Sequence, residues 1–122
     1  MLIRFKRNLE KIAMGLLSFM PEEKDVKKLQ ETIREYEEND NLHLHLWKEG
    51  DDVLGAIGVQ ILDNNQLVIN HLTVNPSHRD QGIGSRMIAE IHRIYSNKYD
   101  IVPSENIKSF YEKAKDDYKS QP

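Results

Sequence analysis

The sequence predicts an α/β (α+β) domain in which helices flank a mixed, mostly antiparallel sheet, with the element order β-α-α-β-β-β-α-β-α. Apolar residues recur with a helical period near the N-terminus, alternate as in strands between residues 42 and 74, and return to a helical period after Pro76. A strand at 67–74, a helix at 82–95 and a strand at 98–102 form a βαβ unit, whose strands should run parallel with a right-handed connection. The 122 residues fit a single domain, 1–122.

The N-terminal elements are a short strand and two amphipathic helices. We predict the strand at Met1–Phe5 and the first helix from about Arg7 to Phe19. Its apolar stripe has helical spacing and contains Leu9, Ile12, Ala13, Leu16, Leu17 and Met20. A second helix begins at or near Pro21, where the missing N–H of proline costs nothing. Its stripe contains Val26, Leu29, Ile33 and Tyr36.

The middle of the chain predicts an antiparallel meander of three strands. In the first strand the three leucines Leu42, Leu44 and Leu46 alternate with His43, His45 and Trp47, as in a half-buried strand. Short turns lead to the strands at 53–62 and 67–74. After the βαβ unit a last helix follows, which Ser104 can cap. The stripe of this helix contains Ile107, Phe110, Tyr111, Ala114 and Tyr118.

Composition excludes several classes of protein. The absence of cysteine excludes a disulfide framework, thiolate catalysis and cysteine-ligated metal. The net charge of −3 argues against a protein that coats nucleic acid. No apolar run approaches the roughly 20 residues of a membrane span. We therefore expect a cytoplasmic protein with neither a nucleic-acid partner nor a membrane partner.

The paired histidines of the first meander strand do not predict a metal site. His43 and His45 share one face of that strand, which supplies two ligands at best, and no convincing third ligand follows from the sequence. We interpret them as a surface pair beside Trp47 and predict no metal.

The stretch from Leu72 to Gly84 has the features of a phosphate or pyrophosphate site. It leaves a strand and enters a helix, so backbone N–H groups converge at the positive end of the helix. Gly82 and Gly84 lack a Cβ, so an anion can approach the backbone closely, and Arg79 adds a positive charge. A nucleotide P-loop needs a lysine that is absent here. A dinucleotide fingerprint needs a third glycine where Met87 stands.

The pattern Val74-x-Pro76-x-x-Arg79-x-x-Gly82-x-Gly84 resembles the acetyl-coenzyme A motif of the GNAT N-acetyltransferases. The segment Phe110-Tyr111-Glu112-Lys113 is similar to a later segment of the same family, and the element order matches over nearly the whole chain. The short length and N-terminal sequence also resemble a small acetyltransferase-like protein encoded among bacterial riboflavin-synthesis genes.

This resemblance implies acetyl-CoA as co-substrate and assigns roles to residues. The strand segment Leu72, Thr73 and Val74 would lie along the pantetheine arm, with Leu72 and Val74 offering backbone groups. The pyrophosphate would be held by the amides of Arg79, Asp80, Gln81, Gly82, Ile83 and Gly84, with Ser85 beside them. The acetyl thioester would sit where the two parallel strands splay apart. Tyr111 occupies the position of the family's general acid, although it also lies on an apolar stripe and could simply pack.

The chain departs from the family pattern at the general base and at one cofactor ligand. The positions where the family often has Glu or His hold Val68 and Asn70, and His71 should point to the opposite face, as a satisfied core or interface histidine. The family's cofactor-binding asparagine is replaced by Ser104, which could substitute weakly or cap its helix. Asn106 is out of register for this role.

The C-terminal region departs further. Eleven residues follow Tyr111, and this charged tail cannot form the two final strands that are usual in the family. We expect an exposed strand edge, and hence a homodimer or a flat, open acceptor site. The leading hypothesis is an acetyl-CoA-dependent N-acetyltransferase acting on a small-molecule or protein amine. The alternative is a CoA-binding regulatory or structural module without catalysis.

Overall fold

The computed structural model describes residues 1–21 and 25–119, with side chains through residue 115. Its sheet has five strands, whose spatial order is the order of the chain. They are β1 (Leu2–Arg4), β2 (Leu42–Glu49), β3 (Asp52–Ile61), β4 (Gln66–Val74) and β5 (Asp100–Pro103). Neighbouring strands are antiparallel except for β4 and β5, which are parallel. The predicted fold class and order of elements are confirmed.

Within the described residues, four helices flank this sheet: α1 (Glu10–Leu17), α2 (Val26–Glu38), α3 (Ile83–Tyr95) and α4 (Lys108–Lys119). Short 3₁₀ turns precede α1 and α4, at Arg7–Leu9 and Glu105–Ile107. The predicted start of the second helix near Pro21 is wrong. The carboxylate of Asp25 accepts a hydrogen bond of 2.9 Å from the N–H of Lys27, so α2 begins at Val26 behind an acidic cap.

The two pairs of helices cover opposite faces of the sheet. Met87 of α3 packs on Gly55, and Tyr36 of α2 packs on Gly58, three residues further along β3. Because both faces are covered, the prediction of a surface histidine pair beside Trp47 is wrong: His45 and Trp47 are both only 7% exposed. The strand β2 is buried on both sides rather than half-buried.

Several residues of the predicted apolar stripes do not join the core. Three of them are more than a third exposed, namely Ile12, Val26 and Phe110, and so is Ile94 of α3. The side chain of Tyr118 lies outside the described residues. The remaining stripe of α4 is buried as predicted, with Ile107, Tyr111 and Ala114 each less than a tenth exposed. The exposure of Phe110 matters for the site, because this ring faces a cavity.

The close approach of Tyr36 to Gly58 predicts a large stability effect. A Cβ at Gly58 would overlap the Tyr36 hydroxyl, and Tyr36 cannot simply swing away because that hydroxyl is hydrogen-bonded to Nδ1 of His71 at 2.5 Å. We expect Gly58→Ala to lower the free energy of unfolding by about 1–3 kcal/mol, the usual cost of overpacking a core. Denaturant titration measures this.

The matched control is Gly15→Ala in α1. Gly15 is exposed, and a Cβ there meets nothing within 4 Å. The same substitution should therefore raise the free energy of unfolding by about 0.5–1 kcal/mol, because alanine is the better helix former. Equal effects of the two substitutions would contradict the packing described for Gly58.

Candidate functional site

The strands β4 and β5 separate beyond a short paired segment. Their register runs from Gln66 opposite Asp100 to Ile69 opposite Pro103, and the N–H of Ser104 donates a last bond of 3.0 Å to the carbonyl of Ile69. From residue 70 to residue 74, β4 has no partner on this side among the described strands. The result is a notch in the sheet, at the carboxyl ends of two parallel strands.

Backbone geometry shows which groups of β4 face this notch. The N–H of Asn75 donates to the carbonyl of Leu54, at 2.8 Å, so it points toward β3. In a trans peptide the preceding carbonyl points the opposite way, which directs the carbonyl of Val74 away from β3. Since backbone groups alternate in direction along a strand, Leu72 shares this orientation and Thr73 does not. Leu72 and Val74 thus present their backbone groups to the notch, as their predicted role requires.

The turn between β4 and α3 concentrates backbone N–H groups. Asp80 and Gly82 both have a positive φ, of 64° and 80°, and Gly82 is the N-terminal cap of α3. The first helical bond runs from Arg86 to the carbonyl of Gly82, at 3.0 Å. The N–H groups of residues 83–85 therefore have no acceptor within the helix. The positive end of α3 is a site suited to an anion.

A cavity of about 510 Å³ lies beside this turn. Its volume falls in the usual range of small-molecule sites. It is bounded by the end of α1, the carboxyl end of β4, the start of α3 and one face of α4. The lining residues are Phe19, Met20, Pro21, Leu72, Thr73, Val74, His78, Arg79, Asp80, Gly82, Ile83, Gly84, Ser85, Asn106, Ile107, Ser109, Phe110, Lys113 and Ala114.

Most predicted cofactor residues line this cavity, and two do not. Gln81 lies outside the lining, and its carbonyl accepts a hydrogen bond of 2.8 Å from the guanidinium of Arg86. Ser85 is on the wall, but its hydroxyl donates to the carbonyl of Ala114, at 2.7 Å, so only its backbone N–H is available to a ligand. Arg79 directs its Nε toward the carbonyl of Val74, at 3.4 Å.

Ser104 also lies outside the lining, whereas Asn106 lines the cavity. The predicted side-chain cap at Ser104 is wrong. Its hydroxyl makes no capping bond to the backbone and instead bonds the side-chain oxygen of Asn106. Counting along the sequence missed Asn106, because the 3₁₀ turn at residues 105–107 changes which residue faces the cavity before α4 begins.

His78 is a second lining residue that sequence reasoning missed. Its Nδ1 is buried and has no hydrogen-bond partner in the described part of the chain. A buried nitrogen without a hydrogen bond destabilises the fold, so this atom marks a place where a bound molecule can supply the missing hydrogen bond. The only sequence signal was its position inside the motif, between Pro76 and Arg79.

Tyr111 is buried between α3 and α4 and does not line the cavity. It is 4% exposed, and its hydroxyl lies 3.0 Å from Nε2 of His92 on α3. Burial raises the pKa of Tyr111 and lowers the pKa of His92. At neutral pH the phenol therefore keeps its proton and the imidazole is uncharged. The two rings stack, with their centroids 6.5 Å apart.

The residues at and beside the position of the family's general base, Asn70 and His71, each have a hydrogen-bond partner, and neither is assigned as a base. The amide of Asn70 donates to Gln60 at 3.0 Å. Nδ1 of His71 bonds the hydroxyl of Tyr36, so the prediction that His71 is a satisfied histidine is confirmed. A β-bulge in the pairing between β3 and β4 leaves Asn70 without a direct partner on β3, and it lies where the notch begins.

His43 and His45 share one hydrogen-bond partner. Nδ1 of His43 and Nε2 of His45 lie 2.9 and 3.0 Å from the hydroxyl of Tyr95 on α3. Among the described residues, no group of three or more His, Asp or Glu side chains could hold a metal ion. Within the same residues, no helix is long and apolar enough to cross a membrane.

The burial of His45 predicts a pH dependence of stability. Desolvation, followed by the charge of Arg4, lowers the pKa of His45 from 6.5 to about 4. As pH falls below 6.5, the unfolded chain binds a proton that folded His45 does not, so the free energy of unfolding falls until pH reaches about 4. We expect a loss of about 2 kcal/mol from this residue between pH 7.5 and pH 5, measured by denaturant titration.

The control is His45→Gln, which cannot titrate. This variant should lose most of that pH dependence and keep a smaller one of the same sign, because the pKa values of His43 and His92 are also lowered by burial. An unchanged slope in His45→Gln would show that other groups produce the acid sensitivity.

Comparisons with known proteins identify the family. The model of the acetyltransferase (GNAT) family matches residues 9–114. An N-acetyltransferase from Bacillus methanolicus, named for the lysA 3′ region, is 52% identical over 114 residues, which cover 93% of this chain and 94% of the relative. The chain belongs to the GNAT acetyltransferase family. It is therefore an N-acetyltransferase that takes its acetyl group from acetyl-CoA.

Solved structures of aminoglycoside acetyltransferases share the fold. The aminoglycoside N-acetyltransferase AAC(6')-Iy, in complex with a bisubstrate analogue of CoA, has a TM-score of 0.77 at 14% identity over 100% of this chain and 90% of its own. An aminoglycoside 6'-N-acetyltransferase complexed with coenzyme A has a TM-score of 0.67 at 19% identity. That match covers 80% of this chain, and this chain spans 56% of that protein.

Proposed function

We propose that the notch and the turn before α3 bind acetyl-CoA and present its thioester to an amine of a small molecule or a protein. The observation that carries this proposal is the separation of β4 from β5 after Ile69, directly beside the cluster of free N–H groups at the start of α3. The notch receives the extended pantetheine arm, and the turn receives the diphosphate.

The turn binds the diphosphate mainly through its backbone. The left-handed residues Asp80 and Gly82 turn successive N–H groups toward one point, and the helix dipole of α3 adds to the attraction for an anion. The missing Cβ of Gly84 makes room for the ring of Phe110, which would lie 2.9 Å from a Cβ at this position. Arg79 contributes its positive charge at the wall of the cavity.

The pantetheine arm pairs with β4 in the manner of an added strand. Leu72 and Val74 present backbone groups that have no strand partner in the described part of the sheet, and such groups are satisfied well by an extended amide chain. When the amine nitrogen bonds to the thioester carbon, negative charge develops on the carbonyl oxygen. The N–H of Val74 faces the notch and can stabilise this charge.

Collapse of the tetrahedral intermediate breaks the C–S bond, the nitrogen that becomes the amide releases a proton to water, and the departing thiolate needs a proton. We assign this proton to Tyr111. Burial raises the pKa of this phenol, which makes it a weaker acid, so it can protonate the thiolate only when it is positioned directly against the sulfur. In the structure the hydroxyl of Tyr111 is hydrogen-bonded to His92, and Tyr111 does not line the cavity. To act as the acid, the hydroxyl must break its bond to His92 and form one to the sulfur. His92 then acts as the positioning residue that holds the phenol between turnovers.

The acceptor is an amine that must reach the notch in its neutral form. The structural neighbours are named as acetyltransferases of aminoglycosides. Aminoglycosides are therefore one class of amine to include in an acceptor screen for this chain. The finer resemblance, to the acetyltransferase-like protein encoded among riboflavin-synthesis genes, adds amine intermediates of flavin synthesis as a second class. Peptides with free amines form the third.

We propose a cytoplasmic protein of one domain, and a homodimer that pairs through the outer edge of β5. Support for the dimer comes from the edge itself, which has no partner among the described strands. The pairing segment is Asp100–Pro103, four residues long, so the predicted interface is small. Sedimentation velocity at high protein concentration tests this, and a monomer throughout the range would refute the dimer.

Two measurements test the proposed function. Calorimetric titration with acetyl-CoA and CoA should show saturable binding, and both ligands should raise the unfolding temperature. Release of free thiol in the presence of each amine class then separates an acetyltransferase from a CoA-binding module, since the module would release none above background. If neither acetyl-CoA nor CoA binds, the acetyltransferase and the CoA-binding module are both refuted.

A further inference from the structure

One face of α4 carries an aromatic ring and a positive charge at the rim of the cavity. Phe110 and Lys113 are one helical turn apart, and both line the cavity. The ring of Phe110 rests on the backbone of Gly84, in the first turn of α3. The face formed by Phe110 and Lys113 thus begins at the diphosphate turn and extends outward along α4.

The fold itself does not account for these two side chains. Phe110 is 38% exposed, although its neighbours Ile107, Tyr111 and Ala114 are buried. Lys113 is exposed, and its ammonium makes no hydrogen bond or ion pair with any residue that the structure describes. By contrast, Lys115 on the same helix lies over the ring of Tyr111, 5.8 Å from the centroid.

The chemistry of the ligand supplies what these two groups lack. Coenzyme A carries a third phosphate, on the ribose of its adenosine, in addition to the diphosphate. The diphosphate lies at the turn before α3, so the adenosine and its 3′-phosphate extend beyond this turn. An exposed aromatic ring can stack on an adenine base, and a lysine ammonium binds a phosphate as a point charge.

We propose that Phe110 and Lys113 form the recognition site for the adenosine 3′-phosphate of CoA, with the ring against the adenine and the ammonium against the 3′-phosphate. This inference rests on the proposed binding of CoA at the turn. It makes the chain selective for CoA over dephospho-CoA, which has the same adenine and diphosphate but no 3′-phosphate.

The test compares these two ligands on three proteins by calorimetric titration. The wild type should bind CoA about tenfold more tightly than dephospho-CoA, the worth of one charge-assisted contact. Lys113→Ala should reduce this ratio to about one and leave the affinity for dephospho-CoA within about twofold of the wild type. The control Lys108→Ala removes the same charge from α4 at an exposed residue outside the cavity lining, and it should keep the wild-type ratio.

A further variant examines the ring. Phe110→Leu keeps an apolar side chain against Gly84 and removes the stacking surface. It should weaken CoA and dephospho-CoA alike, by about fivefold, and leave the affinity for S-acetyl-pantetheine phosphate, which has no adenine, unchanged. Equal weakening of all three ligands would overturn the stacking role and assign Phe110 to the turn.

Each remaining outcome decides the inference. If Lys113→Ala weakens CoA and dephospho-CoA by the same factor, Lys113 contacts the diphosphate, and the assignment to the 3′-phosphate is wrong. If Lys108→Ala changes the ratio as much as Lys113→Ala does, the effect is the net charge of α4 rather than a site. If the wild type binds neither nucleotide, the proposed function itself fails.

Discussion

Gly82→Asp should abolish CoA binding while the protein remains folded. Gly82 caps α3 with a left-handed backbone, at φ 80°. The N–H groups of the residues beside it converge on the anion site. An aspartate here adds a negative charge at the position of the diphosphate, and like charges in direct contact cost several kcal/mol. We expect the affinity for CoA to fall by at least about 100-fold, measured by calorimetric titration.

The control for this prediction is Gly50→Asp. Gly50 also has a left-handed backbone, at φ 59°, and a Cβ there meets nothing within 4 Å. It lies in the turn between β2 and β3, outside the cavity lining. The control introduces the same charge into the same backbone conformation, so its affinity for CoA should equal that of the wild type. Equal CoA affinity in Gly82→Asp and Gly50→Asp would exclude the turn before α3 as the diphosphate site.

The part of the site that could be predicted from the sequence is the part made of one continuous segment. The glycines, the strand before them and the helix after them lie within 13 residues, from Leu72 to Gly84. Local backbone rules are enough to place such a segment: a strand end, a glycine in a left-handed turn and a helix N-terminus. Most of the residues predicted there, between Leu72 and Ser85, line the cavity.

The rest of the cavity wall comes from distant parts of the chain, and no local pattern marks it. Phe19 and Pro21 reach the cavity because α1 packs against the sheet near the notch, about 50 residues before the motif in sequence. Asn106 replaces Ser104 because a 3₁₀ turn, rather than the first turn of an α-helix, leads into α4. Short 3₁₀ turns are frequent at the N-termini of α-helices.

The histidines of β2 show a limit of periodicity. An alternation of Leu with His and Trp is the pattern of a strand with one solvated face, and that interpretation was wrong. The face is covered by α3, and Tyr95 supplies a hydroxyl to both His43 and His45. A polar side chain can be buried at little cost when it is hydrogen-bonded. A hydrogen-bond partner on a distant helix therefore allows an alternating polar face to be buried, although the alternation predicts a solvated one.

Tyr111→Phe should lower turnover by about 100-fold or more while leaving the affinity for CoA within about twofold of the wild type. The variant removes one oxygen from a buried ring that does not line the cavity, so the binding surface is unchanged. If the phenol donates the proton to the departing thiolate, its loss slows the step in which the C–S bond breaks. Thiol release under saturating acetyl-CoA and amine measures this step.

The alternative is that Tyr111 only joins α4 to α3 through His92, and a second variant separates the two roles. His92→Phe removes the same hydrogen bond from the other side but keeps the phenol. If the bond is only structural, both variants lose the same stability, about 1 kcal/mol, and both keep wild-type turnover. If the phenol is the acid, the two variants lose equal stability, yet only Tyr111→Phe loses most of its turnover, because His92→Phe loses the positioning of the phenol but keeps its proton.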